Sequence, residues 1–395
     1  MPLGLYISVP FCRTKCSYCN FASGVFSKAV FGRYVDRVCL DMENAHWIAE
    51  EMGGELDRVV DTIYLGGGTP TVLDPAELQR IFQAIGSRFE VQSGAEITVE
   101  CAPGTLTRAV MDSLVSSGVN RVSLGLQSFI DKEAAAVGRL HKRESVLEDI
   151  ARLRAAGISN INLDLIAGLP HQTLESWRFS LEEVIATGVP HVSVYMLEVD
   201  EDSRLGRELM AGGTKYHAHF VPDDDLTADL YLLAGETLNA TGISQYEISN
   251  FSQPGFESRH NLKYWTRQPY LGFGVDAHSM LRTYACDSDA VRFSTPDSLE
   301  DFMSAKPAAR TIVTDLAALE ERLFLGLRLN RGVNLERLRV HWHRATIESL
   351  ERILTKLTEM DLIYQNGGTI RLTDRGRLLS NEVFVRLLGL QALPS

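Results

Sequence analysis

Leu3-Gly-Leu-Tyr6-Ile-Ser-Val9-Pro10, followed by Phe11-Cys12-Arg-Thr-Lys-Cys16-Ser-Tyr18-Cys19, is the stretch from which the rest of the chain can be read. Residues 3–9 have the length and apolar weight of a short buried strand, and Pro10 stops it because proline has no N–H to give to a sheet. The loop that follows packs three of the six cysteines into eight residues. Three thiolates at this spacing can each hold a different iron of a 4Fe–4S cube. Cys12, Cys16 and Cys19 then leave one iron open, able to grip a cofactor and pass it an electron. The competing reading, a structural zinc loop, needs a fourth donor nearby. None is offered, since residue 21 is Phe21.

Working outward, a unit of about thirty residues recurs. Its strands fall at Thr62–Leu65, Glu96–Cys101, Arg121–Leu126, Asn160–Ile166 and His191–Leu197. Helical stretches lie near 75–86, 105–116, 144–156 and 173–187, and a further helical stretch covers 27–52, ending at Gly53-Gly54. Gly118, Gly157 and Gly188 are helix stops. Strands alternating with helices predict parallel βαβ units. With the first strand this gives six repeats: an α/β fold, an open partial (β/α)6 TIM-like barrel, short of the eight needed to close. Beyond 200 the pattern changes. An acidic stretch (Glu198 to Asp202) leads to a helix over about 223–240, the segment Ile243–Ser249, and His260–Trp265. An irregular linker containing Pro307 follows Pro296. Residues 314–390 read as three helices, a hairpin turning at Asn366-Gly367-Gly368, and a helix, a smaller α+β winged-helix-like C-terminal domain. The boundaries are 1–200 for the barrel, 201–310 for the mixed extension and 311–395 for the C-terminal unit.

Cysteines at this spacing directly after a first strand resemble the radical S-adenosylmethionine (SAM) superfamily. The resemblance implies that the open iron chelates the methionine end of SAM and that Tyr18 packs near the adenine; plain loop packing is the other reading of Tyr18. Further pieces agree. Gly66-Gly67-Gly68-Thr69-Pro70 follows the second strand, where glycines let the backbone approach a ligand. Glu100 ends the third strand, Gln127 ends the fourth with Arg139 twelve residues later, and Asp164 lies in Asp-Leu-Ile-Ala-Gly-Leu-Pro at the end of the fifth. Polar groups at successive strand ends converge on one mouth. A carboxylate and amides suit ribose hydroxyls and an amine, and an arginine suits a carboxylate; each residue taken alone is equally well a structural cap. Together they are similar to the branch typified by oxygen-independent coproporphyrinogen III oxidase. There the matching residues contact SAM, as does a first-strand tyrosine, here Tyr6.

Within that branch the oxidases carry another cysteine two positions after the third ligand, where this chain has Phe21, and a long extension before the first strand, where only five residues precede Tyr6. Both departures resemble the HemW-type heme chaperones, as does His260-Asn-Leu-Lys-Tyr264-Trp265, which matches their His-Asn-x-x-Tyr-Trp motif. A neutral imidazole ligates heme iron, and Tyr264 and Trp265 offer flat faces to a porphyrin. On a helix, Arg259, Lys263 and Arg267 form a row suited to propionates. The alternatives are a solvated surface helix, or another ligand such as His217, His219, His278 or a cysteine.

The expectation is a heme-trafficking protein that holds a 4Fe–4S cluster, SAM and heme and delivers heme to acceptors such as membrane-bound respiratory enzymes, with an electron donor for the cluster. The alternative is a radical SAM enzyme, a coproporphyrinogen III dehydrogenase or a methyltransferase. A net charge of −12 disfavours nucleic acid. So does the C-terminal unit, where twelve Lys/Arg against ten Asp/Glu leave +2 over 314–395; a protein contact or a lid is the expected role there. No apolar run long enough to span a membrane occurs, and the start MPLGLYISVPFC does not read as a secretory signal. The expectation is a cytoplasmic protein with at most peripheral membrane contact; dimerisation is compatible with the sequence. Cys39, Cys101 and Cys286 read as packing residues.

Overall fold

The computed structural model describes residues 1–283 and 288–390, so Cys286 lies outside the described residues. Strands β1 (Leu3–Val9), β2 (Val59–Gly67), β3 (Glu90–Cys101), β4 (Arg121–Gln127), β5 (Asn160–Ala167) and β6 (His191–Met196) run parallel, each paired to the next. Their apolar residues are buried almost without interruption, as expected of strands covered on both faces. The covering helices have amphipathic reasons to sit where they do. Pro75–Arg88 starts with Pro75 behind a capping box of Asp74 and Glu77 and buries Leu78, Ile81 and Ile85. Leu174–Thr187 is capped by Thr173, ends at left-handed Gly188 and buries Trp177, Leu181 and Val184. The region 27–52 is not one helix. It divides into Phe31–Glu43 and Ala45–Met52, because the Asn44 amide turns back onto the Leu40 carbonyl.

The sheet then grows at both edges. β8 (Asn250–Ser252) adds antiparallel to β6 and β7 (Ser244–Gln245) antiparallel to β8, whereas β9 (Tyr270–Phe273) adds parallel to β1. β10 (His278–Arg282), β11 (Ser288–Ser294) and β12 (Ala309–Thr314) continue from β9 to make twelve strands. The irregular linker expected after Pro296 is therefore a correction: it holds the helix Leu299–Met303 and the edge strand β12. Only Val313 of β12 is buried, so its sequence carries no apolar period.

The C-terminal unit has its own small antiparallel sheet, β13 (Val333–Asn334), β15 (Thr369–Leu372) and β14 (Ile363–Asn366) in spatial order, with the hairpin turning through Gly367 and Gly368 at positive φ. Its helices Asp315–Arg328 and Arg344–Glu359 close a separate apolar core around Leu319, Leu323, Leu350, Leu354 and Leu357. The unit docks at the N-terminal ends of the barrel strands, the floor. Glu321 meets Arg267, and the Arg328 guanidinium lies 4.2 Å from the Trp265 ring centroid. It does not cover the mouth, so the expectation of a lid is corrected. Among the described residues no helix is long and apolar enough to cross a membrane.

Candidate functional site

The C-terminal ends of β1–β6 form the mouth. The cysteine loop hangs over it, tied on three sides. Cys12 N–H donates to Gly24 (2.8 Å) and Ser17 N–H to Val137 (3.1 Å), while Ser17 accepts from Leu205 N–H (2.9 Å). Lys15 Nζ closes the loop onto the carbonyls of Phe21 (2.6 Å) and Ser23 (2.8 Å). Cys16 is buried, Cys12 and Cys19 are half-buried, and all three are free thiols. Burial raises the Cys12 thiol, and Cys19 and Cys16 lie near enough to raise it further. Among the described residues no three His, Cys, Asp or Glu donors close on a single ion. Three thiols on one loop are a donor set in which each can take a different iron of a cube.

The glycine run passes so close to the end of β1 that side chains are shut out. A Cβ on Gly68 would lie 2.7 Å from the Val9 carbonyl oxygen, and one on Gly66 would lie 2.8 Å from the Glu100 carboxyl. Its N–H groups are engaged within the protein: Gly67 with Glu100 Oε2 (3.2 Å), Gly68 with Val9 (2.9 Å) and Thr69 with Phe11 (2.8 Å). A methionine ammonium is itself a donor, so any hold on it falls to the carbonyls of the run. Thr69 Oγ1 lies 3.9 Å from Cys12 Sγ, which places the run beside the cysteine loop.

Glu100 accepts from Tyr64 OH at 2.8 Å. Burial, with Asp164 adding to it, pushes this carboxyl up to about 7. Asp164 stands inside β5, three residues before its end, and accepts from Ser123 Oγ (2.9 Å) and Asn162 Nδ2 (2.7 Å); burial raises it too. Gln127 has φ +73, a left-handed conformation costly for a side-chain-bearing residue. Its amide and the Arg139 guanidinium converge over Gly125, each 3.2 Å from where a Cβ would sit. Arg139 Nη2 donates to Tyr18 OH (3.3 Å), while its Nε is buried without a partner among the described residues. An orphaned guanidinium N–H of this kind suits a bound carboxylate. Tyr18 packs with Val137, Ile166, Leu169 and Leu197, an apolar slot beside the loop. Tyr6 comes within 3.4 Å of the Gly67 Cβ position, and its ring lies 6.2 Å from that of Tyr64. The structure thus brings Tyr6, Tyr18, Gly67, Gly68, Thr69, Glu100, Gln127, Arg139 and Asp164 to the mouth side of the barrel around the three cysteines.

The second predicted cluster lies elsewhere. Helix Arg259–Trp265 plugs the barrel floor. Glu96 at the base of β3 accepts from the Arg259 and His260 N–H groups at 3.1 and 3.0 Å, holding the helix N-terminus. His260 is 1% exposed. Its Nδ1 pairs with Thr62 Oγ1 (2.9 Å) and its Nε2 with Tyr264 OH (2.8 Å), and its ring stacks on Tyr64. Burial drives it down to about 3, so it is neutral. Both nitrogens are engaged in this structure, so ligation of iron by His260 would require one of these bonds to open. Tyr264 and Trp265 are half-buried, Tyr264 against Tyr270 and Trp265 under Arg328. The basic row is divided by its surroundings. Lys263 pairs with Asp61 (2.7 Å) and Arg267 with Asp289 (2.5 Å) and Glu321 (2.7 Å), both buried, whereas Arg259 donates to the Gly94 carbonyl (2.8 Å) and stays half-exposed.

Sequence reasoning passed over the groups joining the two ends: Thr62, Tyr64, Glu96, Ser123, Asn162, His191 and Ser193. His191 Nδ1 pairs with Asn162 Oδ1 (2.6 Å) and Ser193 Oγ donates to Asn250 Oδ1 (2.8 Å). The signal was available as a period of two: Thr62/Tyr64, Glu96/Thr98/Glu100, Arg121/Ser123 and Asn162/Asp164 are alternate polar residues in otherwise apolar strands, and they lie in register across the sheet.

A parallel partial barrel with a three-cysteine loop and a polar mouth defines a radical SAM protein, and the sequence matches the radical SAM superfamily over residues 6–184 and the HemN C-terminal domain over 313–379. The heme chaperone HemW of Lactococcus lactis is 32% identical over 98% of this chain and 97% of its own length. The HemW of Bacillus subtilis is 35% identical over 97% and 98%. The chain belongs to the HemW heme chaperone family. Among solved structures, coproporphyrinogen III oxidase (HemN) from Escherichia coli superposes with a TM-score of 0.83 at 23% identity, covering 99% of this chain and 91% of that one, which establishes the shared fold.

Proposed function

We propose that the protein is a heme chaperone that holds a 4Fe–4S cluster on Cys12, Cys16 and Cys19, binds SAM at the mouth, and passes heme to an acceptor protein. The end-to-end relationship to HemW chaperones carries this reading. The fit of the mouth supports the SAM part. Tyr18 lines the adenine slot, Glu100 and Asp164 accept from hydroxyls, Gln127 and Arg139 hold the carboxylate, and Tyr6 and Gly67-Gly68-Thr69 bound the methionine end. When bound, the cluster supplies an electron and SAM a cleavable carbon–sulfur bond. The chain's own residues place that pair: the cysteine loop is tied to helix Arg204–Ala211 through the Leu205 N–H and the Ser17 carbonyl (2.9 Å), and Val137 and Leu169 pack around Tyr18. The acceptor is a membrane-bound respiratory enzyme met by peripheral contact from the cytoplasm, and a reduced protein donates to the cluster. The working units are 1–200, 201–310 and 311–395.

The test is an anaerobic incubation of reconstituted protein with SAM, a reductant and coproporphyrinogen III, repeated with heme. The expected result is stoichiometric heme retention and no repeated conversion of the porphyrinogen. Multiple turnovers to protoporphyrinogen would make the protein an oxidase.

A further inference from the structure

The joint between the barrel floor and the C-terminal unit holds a cavity of about 480 Å3, away from the mouth. Arg267, Arg282 and Arg322 line it, together with Asp289 and Glu55. The three arginines come from three places: the loop after helix Arg259–Trp265, the end of β10, and helix Asp315–Arg328. Their charge is not matched. Arg267 donates to Asp289 Oδ2 (2.5 Å) and Glu321 Oε2 (2.7 Å), Arg292 shares Glu321 (2.9 Å), and Arg322 shares Asp289 (3.4 Å). Arg282 reaches the sulfur of Met1 (3.8 Å) and pairs with no carboxylate among the described residues. Four arginines thus lean on two carboxylates. Burial lowers the Arg322 guanidinium, and Arg267 and Arg282 lower it further. Against burial, which raises it, Arg267, Arg322 and Arg282 hold the Asp289 carboxyl below its ordinary value.

Arg267 carries a second, independent sign. Its side chain is 2% exposed, and its Nη2 is buried without a partner among the described residues. A buried cation with a spare donor calls for an acceptor. Its backbone is left-handed, with φ +52, the kind of outlier that gathers at ligand sites. The turn is held there by its neighbours. Arg267 N–H donates to the Tyr264 carbonyl (3.2 Å), Gln268 N–H to the Lys263 carbonyl (2.9 Å), and Gln268 Nε2 to Thr266 Oγ1 (3.0 Å). The cavity has the size of a small-molecule site. Guanidinium forks meet the oxygens of a multiply charged group two at a time, which a point charge cannot do.

We propose that this cavity binds a small, multiply charged oxyanion, a phosphate ester or a polycarboxylate, through Arg267 Nη2, Arg282 and Arg322, and that the bound anion ties the C-terminal unit to the barrel floor. The site goes beyond the heme-chaperone reading and does not depend on it. The anion supplies negative charge where Asp289 stands among three arginines. Because Arg322 belongs to the C-terminal unit and Arg267 and Arg282 to the barrel, the anion touches both bodies, and its binding stabilises the docked form by mass action.

The test is isothermal titration calorimetry of the full, cluster-loaded chain with pyrophosphate and with citrate at fixed ionic strength, in wild type, Arg282→Gln and Arg322→Gln, with thermal melts alongside. Wild type is expected to bind one of the two anions saturably and to melt higher with it; preference for pyrophosphate assigns the phosphate class, and preference for citrate the carboxylate class. Arg282 is exposed, so its replacement leaves the fold intact. Each variant, shown folded by circular dichroism, is expected to weaken binding at least about tenfold while keeping iron content and SAM affinity. Saturable binding of neither anion overturns the proposal. So does wild-type affinity in both variants, and so does a rise in melting temperature that sodium chloride at equal ionic strength reproduces.

Discussion

The two ends of the barrel use the same residue types to opposite ends. At the floor, Lys263, His260 and Glu96 are matched within the protein, Arg267 grips two carboxylates although its Nη2 is buried without a partner among the described residues, and a helix fills the opening. At the mouth, Arg139 keeps a buried N–H without a partner among the described residues, Gln127 holds a strained backbone, and Glu100 is buried enough to sit near neutrality. Satisfied polar groups fix a fold, and a buried unsatisfied one calls for a reason: at the floor an ion-paired joint, at the mouth room for a ligand. A motif of histidine and aromatics is thus no guide to binding until its partners are counted.

The contrast can be broken most severely at the cysteines. Cys16→Ala is expected to drop iron from about four per chain to near none by iron assay, while leaving the floor and the unfolding midpoint of the cluster-free protein unchanged. Arg267→Ala strikes the other end. It leaves Glu321 to Arg292 and Asp289 to Arg322 and empties a buried guanidinium position at the joint with the C-terminal unit, so urea unfolding should show a loss of about 2 kcal/mol with iron content retained. A normal midpoint would mean that water replaces the guanidinium. Glu100 gives an effect of middling size and a sign. Its carboxyl titrates near 7, above the ordinary 4.5. The stability it lends is therefore complete below about 4.5 and is lost as pH rises through about 7, a slope that Glu100→Gln should flatten in thermal melts. SAM hydroxyls need the ionised form, so SAM affinity should tighten about tenfold between pH 6 and 8 in wild type and stay level in the variant. The smallest change is Tyr264→Phe, which removes one bond to His260. It should cost about 1 kcal/mol of stability and leave SAM affinity untouched; a change in affinity would mean that the floor reaches the mouth through Tyr64.

Much of this was legible. Gly118, Gly157 and Gly188 marked the helix ends, and the cysteine spacing after β1 marked the cluster loop. The fate of the His260 helix was hidden because its partners come from far away in sequence: Asp61 and Glu96 from the barrel, Asp289 and Glu321 from beyond it. Read alone, Arg259-Lys263-Arg267 looks like a row facing water or an anion. The edge strands β9–β12 were hidden for a simpler reason: they are short or exposed, and register with a neighbour, not local period, makes them strands.

The docking of the C-terminal unit beneath the floor has a consequence for traffic. A protein that accepts a cargo from one visitor and yields it to another is hampered when both must use one doorway. In this fold a contact made on the C-terminal unit would fall beneath the floor, on a body with its own core, and would leave the rim above uncovered.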